Sequence, residues 1–279
     1  LPPVALEQYL GAIESYCINT LYATPGILYR IFTGTTRAGP RALAVKATPG
    51  RAFDISSVKA ANSGTSTLLP HRLRQYSDHL GQVPILVGYG QSEAGFIGGS
   101  GSRVKPAQGY LGMSPGFVAK VIDTEGNETD GYGELCLSSP QIATHYANGN
   151  PIPLTDDGYL RTGDYVHLTA DGQLRVIGRL CELCHTPEGL VFPADIDNEL
   201  AQHPAVSDSI VVARNEGGNV RPVALVVPTT LPDTPAQLRD IEQSIRERMG
   251  IAIECREVPQ IPRSSAGKPI WPLVNAMVS

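Results

Sequence analysis

The order of apolar and polar positions divides the chain into three textures. Residues 5–31 carry apolar side chains at helical spacing around a short TLYATP run. That pattern predicts a helix, a buried strand, a turn at Pro25-Gly26 and a second helix. FDISSVKAANSG (53–64) reads as a strand entering a glycine turn, and LLPHRLRQYSDHL (68–80) as a helix. VPILVGYG (83–90) reads as a buried parallel-type strand ending in a glycine loop. Strand, helix and strand with turns at the strand ends predict part of an open α/β layer, whose ligands gather at the carboxyl ends of the strands.

From about residue 109 the period shortens to two. FVAKVID, GELCLSS, GYLRTGDYVHL and GQLRVIGRL alternate between DTEGNETDGYG, ANGNP, DDG and ADG, the pattern of hairpin-linked β structure. After Leu180 the texture changes again. PADIDNELAQHP and TPAQLRDIEQSIRERM are amphipathic helices, the second with Leu238, Ile241, Ile245 and Met249 on one face. VSDSIVVAR and RPVALVVP lie between them as strands. The implied division is 1–180, made of an α/β segment (1–108) and a β-rich segment (109–180), followed by a small α+β domain over 181–279.

Composition adds boundaries to this picture. The chain has 279 residues, 42% hydrophobic and 18% charged, as a folded protein with a substantial core requires. A net charge of -5 without a Lys/Arg run argues against nucleic acid and acidic membranes as partners. No apolar run reaches the ~20 residues that span a bilayer. The opening LPPVALEQYL has neither the basic region nor the apolar core of a secretory signal, and no initiator Met, so an excised piece of a longer protein is expected. Five scattered cysteines, an odd count, predict reduced thiols in a cytoplasmic protein.

Two of those cysteines stand in Leu180-Cys181-Glu182-Leu183-Cys184-His185, which contains the C-x-x-C-H spacing of c-type haem attachment. A metal or redox pair is the second reading, but no second pair of ligands is evident. The third, and the expected one, is a small buried thiol beside a surface one at the boundary between two textures.

Four stretches in order carry a resemblance. Gly88-Tyr89-Gly90-Gln91-Ser92-Glu93 is similar to a Y-G-x-[TS]-E loop, Tyr159-Leu160-Arg161-Thr162-Gly163-Asp164 to an R-T-G-D segment, and Gly178-Arg179 to a hinge G-R. Pro262-Arg263-Ser264-Ser265-Ala266-Gly267-Lys268 is similar to a P-R-[TS]-x-x-G-K loop. Ser63-Gly64 with Leu68, Gly133-Glu134-Leu135 and the 193–197 segment fill the gaps. Each alone is ordinary turn chemistry; together, from about Ala5 to the end, they resemble the C-terminal half of the adenylate-forming superfamily of acyl-CoA synthetases, acyl-carrier ligases and nonribosomal adenylation domains.

That resemblance implies a ligase joining a carboxylic acid to ATP as acyl-adenylate, with Mg²⁺, and with coenzyme A or a phosphopantetheine carrier as possible thiol acceptors. It implies catalytic roles for Lys268, Ser92 and Glu93, with Glu93 also holding the metal. Ser63, Gly64, Thr65, Gly88, Tyr89, Gly90, Asp164 and Arg179 are implied nucleotide contacts. The physical requirements match: two anions must be neutralised and aligned, a loop carboxylate can hold Mg²⁺ through one oxygen, and a lysine can bridge carboxylate and phosphate. Pocket residues are expected near 22–26, 63–67 and 88–95.

The sequence also departs from the family pattern. Cys181, Cys184, His185 and Glu188 stand where the hinge segment usually has other residues, and Thr65 replaces a second glycine. The Ser/Thr/Gly-rich phosphate loop of the upstream half has no counterpart, because FTGTTRAGPR (32–41) follows a helix and is expected to be a surface connection. A partner half or a carrier protein is therefore an expected partner. The alternative is a degenerate or truncated homologue serving as a binding or scaffold module.

Overall fold

The computed structural model describes residues 6–37, 43–46, 51–64, 70–100, 109–186, 189–216, 219–229, 234–264 and 268–278. Along the first of its textures, α1 (Leu6–Tyr16) buries Leu6, Leu10 and Ile13, and β1 (Thr20–Tyr22) follows. Pro25-Gly26 opens α2 (Pro25–Gly34) instead of forming a turn. Proline suits the first helical position because its missing N–H would have no partner there. Thr24 Oγ1 accepts the Ile27 N–H at 3.3 Å and caps that end.

β2 (Thr35–Arg37), β3 (Leu43–Lys46) and β4 (Ala52–Asp54) make a small antiparallel sheet. The expected surface connection is thus partly strand, and residues 38–42 lie outside the described ones. β5 (Ala60–Ser63), α3 (Pro70–His79) and β6 (Ile85–Gln91) complete this region. β5 pairs in parallel with β1 and with β6, giving the predicted α/β layer. Its core gathers Leu10, Leu21, Leu28, Ile31, Ile55 and Ile85.

β6 differs from expectation in two ways. It stays extended through Gly88, Tyr89 and Gly90, and the turn comes at 92–94, closed by the Ala94 N–H on the Gln91 carbonyl at 3.2 Å. Glycine without a side chain can remain in a strand where a neighbouring backbone comes close. Leu86 is 42% exposed, so the strand is buried on one face only.

β7 (Gly95–Gly99), β8 (Leu111–Met113), β9 (Val118–Ile122), β10 (Glu128–Thr129), β11 (Tyr132–Ser138), β12 (Leu160–Leu168) and β13 (Gln173–Arg179) follow. The antiparallel order is β13-β12-β11-β9-β10, as the period-two pattern predicts. Next come β14 (Cys184–Thr186), β15 (Gly189–Val191), α4 (Pro193–Leu200), β16 (Val206–Glu216), β17 (Asn219–Pro228), α5 (Thr234–Met249), β18 (Glu254–Glu257) and α6 (Trp271–Ala276).

β16 and β17 pair antiparallel, and β18 adds in parallel to β17. Ile241 and Ile245 are buried from α5, with Leu238 and Met249 packed beside them as the helical period requires. Neither β18 nor α6 was signalled by the sequence. β18 buries only Cys255 among charged neighbours, and six-residue α6 is too short to show a period.

Packing divides the chain into two compact units. One is Leu1–Gly90 with Gly98–Leu111 and Arg263–Lys268; the other is Gln91–Ile97 with Gly112–Pro262 and Pro269–Ser279. Among the described residues no helix is long and apolar enough to cross a membrane.

Candidate active site

The T-G-D stretch is a bulge. Glu134 of β11 stands opposite Tyr165 of β12 and Cys136 opposite Arg161, which leaves Leu135 alone facing Thr162, Gly163 and Asp164. Gly163 turns the displaced backbone with φ +68°, a conformation that side chains with a Cβ rarely adopt. Thr162 Oγ1 donates to the Leu135 carbonyl at 2.8 Å and accepts the Asp164 N–H at 3.1 Å, so the extra residues are still satisfied.

Glu134 fastens the bulge through its carboxylate. It is 5% exposed, and its Oε1 accepts the Gly163 N–H at 3.1 Å. Its Oε2 accepts both Arg161 Nε at 2.9 Å and Nη2 at 2.5 Å. On β13, Arg179 pairs in register with Asp164. Arg179 Nε lies 3.1 Å from Asp164 Oδ1, and Nη1 donates to the Thr162 carbonyl at 3.0 Å. Asp164 is buried; a carboxylate held there needs this partner.

Ser92 and Glu93 occupy the turn after β6, with Ser92 exposed and Glu93 half-buried. Glu93 Oε1 accepts the Tyr146 hydroxyl at 2.8 Å. That hydrogen bond, ahead of burial and the carboxylate's charge, raises the Tyr146 phenol above its ordinary value. Gln91, Glu93, Glu134, Tyr146, Arg161 and Arg179 are among the residues lining a cavity of about 310 Å³. Gln91 Nε2 is buried with no hydrogen-bond partner, a donor that a bound molecule could satisfy.

The other unit holds the remaining expected contacts. Ser63 ends β5 and Gly64 follows it; a Cβ on Gly64 would lie 3.2 Å from the Tyr22 hydroxyl and 3.3 Å from the Gly88 carbonyl. The structure thus brings Tyr22 and Gly64, at the carboxyl ends of β1 and β5, beside Gly88 inside β6; ligands of open α/β sheets gather at the carboxyl ends of the strands. Ser63 Oγ is buried there without a partner. Tyr89 and Gly90 continue along β6. Lys268 is exposed; its N–H donates to Ser264 Oγ at 3.2 Å, and the Ser264 N–H donates to the Lys268 carbonyl at 2.8 Å. Thr65 and Leu68 lie outside the described residues.

The cysteine pair takes the expected third form. Cys184 is fully buried on β14 and burial pushes its thiol up to about 11, whereas Cys181 is exposed. Among the described residues no three His, Cys, Asp or Glu side chains gather as a metal site.

Gln91, Glu134 and Arg161 stand inside motifs that assign them no role, and Tyr146 stands in none of the motifs named above. Glu134 carried a signal, a charged residue in the otherwise apolar run GELCL. Tyr146 carried none, because its partner stands 53 positions away.

The family model for the AMP-binding enzyme matches residues 2–147. The chain belongs to the AMP-binding enzyme family. This places it in the adenylate-forming superfamily that its motifs resemble. Relatives in the family include "Probable CoA ligase CCL5" of Humulus lupulus, 30% identical over 74% of this chain and 37% of its own length. "Acyl-CoA ligase lcsD" of Purpureocillium lilacinum is 31% identical over 74% and 53%. "Acyl-CoA ligase AKT1" of Alternaria alternata is 27% identical over 96% and 48%. The chain spans about half the length of the curated relatives it matches. The anthranilate CoA ligase AuaEII, solved with anthranoyl-AMP, shares the fold at a TM-score of 0.78 and 20% identity, over 99% of this chain and 53% of its own. An ATP-bound RpMatB-BxBclM chimera does so at 0.80 and 19%, over 99% and 54%. The mixed α/β architecture is that of these family neighbours.

Proposed function

We propose that this chain forms part of a ligase that activates a carboxylic acid with ATP as acyl-adenylate, releasing pyrophosphate. The observation that carries the reading is the cavity wall itself. A loop carboxylate, Glu93, and two guanidinium groups, Arg161 and Arg179, line one space of about 310 Å³ in a member of the AMP-binding enzyme family. The named CoA ligases among its relatives support the same chemistry and a thiol acceptor after it.

The residues fit the roles required. Joining a carboxylate to the α-phosphate brings two anions together, and the carboxylate oxygen is already a nucleophile, so no general base is needed. Mg²⁺, when bound, would neutralise phosphate charge. It commonly takes one or two carboxylates with the substrate phosphates, and Glu93, with one oxygen engaged by Tyr146, suits that share. Ser92 would donate to the α-phosphate from the same turn. Asp164 and Arg179, already bonded to each other, would contact the ribose as a unit. Tyr89 would offer its ring to adenine beside Gly88 and Gly90, with Ser63, Gly64 and Thr65 along the adenine edge. Lys268 would bridge the acyl carboxylate and phosphate oxygens as charge builds between them. In this reading 1–180 is the end of the large domain and 181–279 the lid, whose core joins Cys184, Ile196, Val226, Ile241 and Cys255. Coenzyme A or a phosphopantetheine carrier would be the acceptor, and the place of action the cytoplasm.

The test is single-turnover formation of acyl-adenylate from ATP and a panel of carboxylic acids, on the longest natural chain that contains these residues. Lys268→Ala should slow that step by roughly 10²–10³, equivalent to about 3–4 kcal/mol, while ATP binding changes little. Equal losses in ATP binding and in chemistry would assign Lys268 to structure. Failure of the wild type to bind ATP would overturn the reading as a whole.

A further inference from the structure

Three hydrogen bonds tie the turn that carries Glu93 to a single segment, residues 141–146. The Ala143 N–H donates to the Glu93 carbonyl at 2.8 Å, and Gln141 Nε2 donates to the Ala94 carbonyl at 3.0 Å. The third bond reaches the carboxylate itself, from the Tyr146 hydroxyl to Glu93 Oε1 at 2.8 Å. The segment is closed in its turn. His145 bridges to Pro151, the Tyr146 N–H donates to the Asn150 carbonyl at 2.8 Å, and the Gly149 N–H returns to the Tyr146 carbonyl at 2.9 Å. Gly149 sits at φ +84°, which fixes a tight reversal just after Tyr146. All of these residues belong to one compact unit.

The two bonds to carbonyls settle where the turn's backbone runs. They leave the Glu93 side chain with its rotamers, and a carboxylate that must be immobilised on binding loses affinity by that freedom. The phenol bond removes part of it beforehand. It also commits one carboxylate oxygen, so that a cation held by Glu93 meets the other, the one-oxygen mode that Mg²⁺ uses. Tyr146 is presented by a hairpin with its own closing bonds, which is what a positioning group requires.

We infer that Tyr146, supported by Gln141, is the positioning residue for Glu93, holding its carboxylate for one-oxygen coordination of a divalent cation. The inference rests on the metal-holding role proposed for Glu93.

The experiment titrates Mn²⁺ into the full chain with ATP, comparing wild type, Tyr146→Phe, Gln141→Ala and Glu93→Gln by electron paramagnetic resonance of the unbound ion. Glu93→Gln should lose most of the Mn²⁺ affinity, and Tyr146→Phe, which keeps the ring, should weaken it about two- to fivefold. A second readout separates positioning from a general structural role. Mn²⁺ drawn to Glu93 perturbs the phenol bonded to it, so wild type should give a near-ultraviolet tyrosine difference signal on Mn²⁺ addition in matched cells. That signal should vanish in both Tyr146→Phe and Glu93→Gln. Wild-type affinity in Tyr146→Phe, with affinity lost in Glu93→Gln, overturns the inference and leaves the metal role standing. Wild-type affinity in Glu93→Gln, or no Mn²⁺ uptake by the wild type, overturns the metal role and the inference with it.

Discussion

Replacing Glu134 with glutamine isolates what holds the T-G-D bulge. The side chain keeps its length and shape, and its carbonyl can still accept the Gly163 N–H, now at 3.1 Å from Oε1. The loss falls on Arg161, whose Nε and Nη2 both donate to Oε2 at 2.9 and 2.5 Å. An amide NH₂ turned toward a guanidinium offers a donor to donors. Removing one member of a buried pair costs about 3–5 kcal/mol, but the Arg161 side chain is 45% exposed and can turn to water. About 2 kcal/mol is the expected net cost, near one charge-assisted hydrogen bond. The local reporter is amide hydrogen exchange at Gly163, which should speed up roughly 30-fold for that loss. Glu134→Ala should cost more, since it also leaves the Gly163 N–H without its acceptor. A double-mutant cycle of Glu134→Gln with Arg161→Ala should return a coupling of about 1–2 kcal/mol. Strict additivity of the two variants, with unchanged exchange at Gly163, would refute the claim that this pair fastens the bulge.

Three further outcomes are expected. Gly133→Ala should destabilise by about 3 kcal/mol in urea unfolding, because its Cβ would meet the Ile122 carbonyl oxygen, lie 2.8 Å from the Ile122 carbonyl carbon and 2.6 Å from Val121 Cγ1; a stability within a few tenths of wild type would show that β9 can give way. Of the five thiols, exposed Cys17 and Cys181 should react rapidly with a disulfide reagent, while Cys136, Cys184 and Cys255 wait for unfolding, because burial hides them and pushes them up to about 11, 11 and 12; rapid labelling of Cys184 would reopen the C-x-x-C-H question. Burial lifts the Glu182 carboxyl above 4.5 against the opposing hydrogen bond and charge of Arg179, so the folded chain holds more protons than the unfolded one between that value and the raised one. Glu182 therefore makes stability fall as pH rises through that window, and Glu182→Gln should flatten the slope in unfolding midpoints taken at several pH values; an identical slope in the variant would count against it.

Sequence alone determined the elements whose signal is periodic or local. The alternation of GELCLSS and GQLRVIGRL gave β11 and β13, and the spacing of Leu238, Ile241, Ile245 and Met249 gave the buried face of α5. It also ordered the motifs that resemble the adenylate-forming superfamily, which the AMP-binding enzyme match over 2–147 supports. What it could not supply are relations between residues far apart in the chain. That Leu135 faces three residues of β12 is a matter of register, set by pairing and not by either strand's composition. Pro25-Gly26 carries the same letters in a turn and at a helix start, and the Thr24 cap and the helix behind it decide between them. Arg161 and Tyr146 look like solvated polar positions, and Glu134 like a lone charge in an apolar run, until the fold sets Glu134 against Arg161 across 27 residues and Tyr146 against Glu93 across 53. A polar side chain declares its chemistry in sequence, but its partner, its burial and hence its role come only with the packing of the strands that carry them.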